Sequence, residues 1–229
     1  MLAVSPPDEE NLRAYVRPQH LASVHLPQPE YSNRSEGDLP DGGLPESLNR
    51  DKGEYFLYFS TLNAYSRLAV KFLSELTKRI RGINIVVVGI APQSFGVEFG
   101  SANLRILGYV PQNDFDRILS GSRGVLIPAL ARHGMATKLI RALGSAKPIV
   151  TTSAASSTVA GIVAGRDLLV GDDPNRFVEH VSAVESDGEL RRSLGRNAAR
   201  LYDERLSHRA YLRTMESYLN ATIERRAGS

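Results

Sequence analysis

From Glu54 onward, apolar runs of strand length alternate with stretches whose apolar residues return at helical spacing. EYFLYF, INIVVVGI, LRILGY, GVLIP, PIVTT and DLLV are the candidate strands. Between the first two, Tyr65, Ala69, Phe72, Leu73, Leu76 and Ile80 mark one face of a helix, and Gly82 supplies its stop. This alternation predicts an α/β fold: a doubly wound parallel sheet with right-handed crossovers and helices on both faces. Beyond Asp172 the pattern turns wholly helical. Phe177, Val181 and Val184, then Leu190, Leu194 and Ala198, then Tyr211, Met215 and Leu219 mark three amphipathic helices that extend the domain at its carboxyl end.

The chain before Glu54 reads differently. Met1 to Val4 have the character of a strand end, and Ser5, the prolines Pro6 and Pro7 and the acids Asp8, Glu9 and Glu10 signal a helix start, with the helix running to about Tyr15. Gln28 to Gly53 is rich in Pro, Gly, Ser, Asn and acid with no apolar period, the composition of a linker rather than of packed structure. The expected organisation is therefore 1–27 as a remnant of a preceding domain, 28–53 as linker and 54–229 as the α/β domain.

Composition narrows the function. With 229 residues, 42% of them hydrophobic, the chain can bury one substantial core. A formal charge of +3 from 28 basic and 25 acidic residues is too balanced for a dedicated nucleic-acid binder. The absence of cysteine removes disulfides, thiolate metal sites and a cysteine nucleophile, and makes the cytoplasm the default expectation. The longest apolar run, INIVVVGIA, is too short to cross a bilayer. The histidines at 20, 25, 133, 180 and 208 lack metal-ligand spacing, so no metal site is expected.

In an open parallel sheet, ligands sit beyond the carboxyl ends of the strands. That directs attention to Ser60 to Asn63, Gly89 to Gln93, Gly108 to Asn113, Pro128 to Gly134 and Thr151 to Ser157. The stretch HGMATKLIRALGSAKPIVTT, residues 133–152, reads as loop, helix, Pro turn and strand. Its helix start offers free backbone N–H groups and the positive end of a dipole, with Thr137 and Lys138 in the first turn: a place for a phosphate. Residue spacing alone equally allows Gly134 and Ala136 to serve close helix packing while Lys138 is solvated. There is no Walker A sequence and no G-x-G-x-x-G after a strand. Arg192, Arg196 and Arg200 recur every fourth residue, either as a solvated helix face or as a stripe for an anionic membrane surface.

From about Val4 to Tyr218 the order of these segments resembles the carboxyl-terminal, donor-binding half of GT-B fold glycosyltransferases. The resemblance is carried by YFLYFSTLNAYSRLAVKFL, INIVVVGIAP, LRILGYVPQNDFDRILSGSRGVLIPA, GMATKLIRALGSAKPIVTTSAAS and DLLVGDDPNRFVEHVSAV in that order. It implies a nucleotide-sugar substrate and transfer of the sugar to a glycan or lipid acceptor held by another domain or a partner chain. By position, Gly134, Met135, Ala136, Thr137 and Lys138 would cradle the diphosphate, and Gly108, Tyr109 and Val110 would lie by the base. Ser60 and Asn63 would stand in the first loop, with Arg67 as its nearby basic group. Where the family has a carboxylate for the ribose hydroxyls, this chain has Arg141, a side chain that only donates. The same architecture also suits a non-catalytic interaction or regulatory domain, or a sugar-nucleotide epimerase.

Overall fold

The computed structural model describes residues 54–94, 102–131 and 136–227, together with Leu2–Ala3, Glu10, Ala22–Ser23 and Leu48. Strand β1 (Leu2–Ala3) pairs in parallel with β2 (Ala22–Ser23), and Glu10 between them is helical and exposed. The rest of the expected first helix lies outside the described residues. Within the stretch read as linker, Leu48 is fully buried in the same core as Tyr55, so at this residue the chain is packed rather than solvated.

All the apolar runs become strands of one sheet: β3 (Tyr55–Phe59), β4 (Asn84–Val88), β5 (Leu104–Gly108), β6 (Gly124–Ile127), β7 (Ile149–Thr151) and β8 (Leu169–Val170). Its order is β5-β4-β3-β6-β7-β8, and every pair is parallel. Strands buried on both faces need apolar residues at nearly every position, which is why these segments read as continuous runs. Alternate residues divide between two cores. Tyr55, Leu57, Val86 and Val125 face one, with Phe115, Ile118, Leu139, Leu143 and Tyr202; Phe56, Tyr58, Ile85 and Val87 face the other, with Ala69, Val70, Leu73, Phe177 and Val181.

The helices that supply those residues are α1 (Ala64–Arg79), α2 (Gln112–Gly121), α3 (Thr137–Gly144), the short α4 (Ser153–Ser156), α5 (Pro174–Ser186), α6 (Gly188–Leu201) and α7 (His208–Ala227), with a π-helical turn at Tyr202–Leu206. The three terminal helices stand where their periodicity put them, and α5 and α6 bury the stripes it marked; in α7, Tyr211 and Met215 are only half-buried and Leu219 is exposed, so the stripe read there is not a buried one. Their starts are chemically marked: Asp173 accepts from the N–H groups of Asn175 and Arg176, with Pro174 opening α5, and Asp187 accepts from Glu189 and Leu190 at the start of α6. Arg192, Arg196 and Arg200 are all exposed along α6.

Two close approaches fix the region around α3. The turn after it places Ala146 at φ +56°, and the carbonyl oxygen of that residue occupies the space where a Cβ on Gly195 of α6 would stand. Gly144, at the last position of α3, lies against the Tyr202 ring, whose nearest atom would be 3.1 Å from an added Cβ. At Gly195 only glycine lets α6 come this near; at Gly144 an added methyl would need the Tyr202 ring to give by a few tenths of an ångström.

Candidate functional site

The sheet order reverses direction between β3 and β6, and the crevice beyond that point is where an open α/β sheet accommodates a ligand. The loops on either side of it are locked together. Ser60 N–H donates to Val88 O at 3.1 Å, and Gly89 N–H donates to Gly108 O at 2.7 Å. Gly89, at φ +88°, has the Ser60 carbonyl oxygen 2.5 Å from its absent Cβ, so a side chain there would push the first two loops apart. A register shift between Val87 and Val88 sets Gly108 opposite Val88, which delivers Tyr109 and Val110 to the mouth of the crevice.

Two cavities open there. One, of 490 Å³, is lined by Ser60, Thr61, Tyr109, Val110, Gln112 and Arg141 among others; the second, of 220 Å³, lies between α1, the loop after β6 and α4. Asn63, Thr137 and Lys138 line both. Lys138 therefore sits on the partition between them, in the first turn of α3. Its ammonium donates to Ser60 Oγ at 3.0 Å and stands 5.3 Å from the centre of the Tyr58 ring. No carboxylate among the described residues pairs with it. Burial holds the Lys138 amine below its usual pKa, and burial pushes the Tyr58 phenol up to about 12.

Helix α3 begins at Thr137, two residues beyond Met135. Ala136 N–H donates to Thr158 Oγ1 at 3.1 Å, and the Thr158 hydroxyl in turn donates to Ala155 O, so α4 steadies the entry to α3. The next N–H groups, those of Thr137 and Lys138, have no acceptor within the helix and point out of its start. Together with the Lys138 ammonium they make a compact set of donors suited to an anion.

Of the residues singled out in the sequence, Ser60, Asn63, Tyr109, Val110, Thr137, Lys138 and Arg141 line the larger cavity, and Ala136 lines the smaller one. Gly108, at φ +77°, ends β5 and supports the mouth through its carbonyl. Asn63 also caps a helix. Its Oδ1 accepts from Ser66 N–H while Ser66 Oγ accepts from Asn63 N–H, a reciprocal cap on α1. Arg67 lines neither cavity and donates instead to Ser94 O at 2.7 Å. Gly134, Met135 and His133 lie outside the described residues. Among the described residues no group of three or more His, Asp or Glu side chains is placed to hold a metal ion, and no helix is long and apolar enough to cross a membrane.

Sequence reasoning passed over the partners of Arg141. Its guanidinium donates to Asp116 Oδ1 at 3.2 Å and lies over the Phe115 ring, 3.9 Å from the centroid. Phe115 in turn meets Phe59 edge to face at 5.1 Å. Arg141 thus forms part of the cleft wall and is braced from α2, rather than standing free on a helix face.

The Lys138 geometry carries a pH expectation. Because the folded-state pKa lies below the usual 10.5, the buried charge disfavours the fold below the folded pKa, and that penalty fades as pH rises toward the unfolded value. An anion bound beside it would act in the opposite sense by favouring the ammonium. The affinity for such an anion should accordingly fall as pH rises through the free-state pKa of Lys138, with proton uptake on binding in that window. Calorimetry in buffers of different ionisation enthalpy would detect the uptake. A Lys138→Arg variant, charged throughout, should show none, and an equal pH profile in both proteins would exclude Lys138 as the titrating group.

The sequence profile of the family described as Glycosyl transferases group 1 matches residues 53–187. A search of curated proteins finds no match. Among solved structures, the chain is similar to Anabaena HepE in complex with UDP and glucose, with a TM-score of 0.72 at 13% identity over 96% of this chain and 62% of HepE. WaaG, a glycosyltransferase involved in lipopolysaccharide biosynthesis, gives 0.69 at 14% identity over 93% of this chain and 60% of WaaG. Sucrose-phosphate synthase from Thermosynechococcus elongatus gives 0.68 at 15% identity over 100% of this chain and 58% of that enzyme. At these identities the likeness is one of fold, and the chain spans roughly 60% of each of these three proteins.

Proposed function

The chain belongs to the glycosyl transferases group 1 family, and from that premise we propose that it works in the cytoplasm as a donor-binding half, seating a nucleotide-activated sugar in the crevice between β3 and β6. The observation that carries this reading is the position of Lys138. It stands in the first turn of α3, anchored on Ser60, on the partition between two cavities. A diphosphate bridging those cavities would meet the ammonium and the outward N–H groups of Thr137 and Lys138, with the nucleoside toward Tyr109 and Val110.

In sugar transfer the bond between the anomeric carbon and the diphosphate oxygen breaks, and negative charge grows on the leaving diphosphate. Fixed donors at the start of α3 stabilise that charge without reorganising as it develops. The bond to the acceptor oxygen forms at the same anomeric carbon. That acceptor is expected from a second domain or a partner chain, which would also complete the water-excluding cleft.

A second reading, a non-catalytic interaction or regulatory domain, has one observation in its favour: among the described residues no carboxylate lines the larger cavity, where Arg141 is committed to Asp116. Saturable nucleotide binding separates the two. Calorimetric titration with UDP, GDP and ADP is expected to give dissociation constants weaker than about 1 µM, corresponding to less than roughly 8 kcal/mol. No binding of any of the three at millimolar concentration would favour the interaction domain.

A further inference from the structure

A ribose brings two neighbouring hydroxyls into a cleft, and orienting them calls for an acceptor not already engaged. Most oxygens lining the larger cavity do not qualify. Ser60 Oγ accepts from Lys138 and donates to the Thr61 carbonyl, and Asn63 Oδ1 is occupied by Ser66 N–H. Thr61, Tyr109 and Thr137 are exposed, as Gln112 is, but no hydrogen bond among the described residues sets the direction of their hydroxyls. Lys138 and Arg141 only donate.

Gln112 is different. Its Nε2 donates to Asp116 Oδ1 at 2.8 Å, one turn along α2. An ionised carboxylate only accepts, so the amide nitrogen must be the atom facing it, and the amide oxygen is turned away without a partner among the described residues. Asp116 is itself held from across the cleft, since the same Oδ1 accepts from Arg141 and the guanidinium is braced over Phe115.

We infer that Gln112 is the ribose-orienting residue of this cleft: its amide oxygen accepts from a ribose hydroxyl of a bound nucleoside diphosphate, and Asp116, fixed by Arg141, sets the amide in that orientation. The inference rests on the donor-binding reading and adds to it the group that reads the sugar of the nucleotide. Arg141 then acts as a positioning residue, which accounts for a side chain without acceptor atoms in the wall of a nucleotide cleft.

The test compares UDP with 2′,3′-dideoxy-UDP on the whole chain by calorimetry. Wild type is expected to bind UDP about tenfold more tightly, the value of one hydrogen bond at this site. Gln112→Leu should bring the ratio close to one by weakening UDP alone, leaving dideoxy-UDP unchanged. GDP and its dideoxy form should behave alike, because ribose rather than base is read. Gln112 is exposed, so the substitution leaves the fold intact. A ratio near one in wild type, a ratio preserved in Gln112→Leu, or equal weakening of both ligands would overturn the role of Gln112 while leaving the donor site standing. Failure of wild type to bind any of these nucleotides would remove the donor reading itself.

Discussion

Lys138→Ala is expected to weaken binding of UDP and GDP by ten- to a hundredfold while leaving uridine and guanosine within about a factor of two. A hydrogen bond to a charged group contributes about 1.5 to 3 kcal/mol, and each 1.4 kcal/mol is a factor of ten in affinity. Lys138 is the cation on which both cavities converge, and among the described residues its hydrogen bond is to a neutral hydroxyl and no carboxylate pairs with it. The same substitution removes a buried charge whose burial depresses its pKa. A Lys138→Met variant, which keeps the packing, should therefore raise the melting midpoint of the ligand-free protein by about 2–4 °C even as it loses the diphosphate. Parallel loss of nucleoside and diphosphate binding would mean that Lys138 does not address phosphates, and a lower midpoint for Lys138→Met would mean that the ammonium is structural.

The largest effect on stability is expected from Gly195→Ala. The added methyl would overlap the Ala146 carbonyl oxygen and stand 3.1 Å from its carbon, both backbone atoms of a turn already held at positive φ. Neither partner is a flexible side chain. The helix or the turn must move, at about 3 kcal/mol for overpacking of this kind, or a fall of about 6–12 °C in the melting midpoint. Gly82→Ala and Gly165→Ala make the contrast. Both positions have positive φ but nothing within 4 Å, so each should cost only about 1–2 kcal/mol. Urea denaturation of the three variants would decide: a Gly195→Ala protein within about 1 kcal/mol of wild type would show that α6 does not press on the turn in solution.

The parts of this fold legible in the sequence are those whose burial imposes a period. Strands such as INIVVVGI and PIVTT are covered on both faces and so appear as continuous apolar runs, and α5 and α6 show a repeat because each buries a single stripe, whereas the repeat read in α7 includes Leu219, which is exposed. Two-residue strands carry no period, which is why Ala22–Ser23 did not stand out as the partner of Leu2–Ala3. Leu48 was hidden for a related reason: one buried residue in a polar stretch has no pattern around it.

The site divides along similar lines. Lys138 and Tyr109 could be located because a parallel sheet dictates which loops meet, and that needs only the order of elements. Asn63 was located but not its capping role, although the reciprocal spacing with Ser66 was there to be read. The Arg141–Asp116 contact joins residues separated by 25 positions and exists only once α2 and α3 lie side by side. Gln112 fell within a stretch marked for inspection, yet what distinguishes it is the orientation of one amide, and that depends on the same tertiary contact.

Helix α3 is held at both ends, by the Thr158 hydroxyl at its entry and by the approach of Gly144 to Tyr202 and of the Ala146 turn to Gly195 at its exit. It behaves as a fixed post rather than a hinge. The loss of conformational entropy needed to aim the Thr137 and Lys138 donors is therefore incurred when the chain folds, and an anion binding at this end of the sheet would meet donors already held in place.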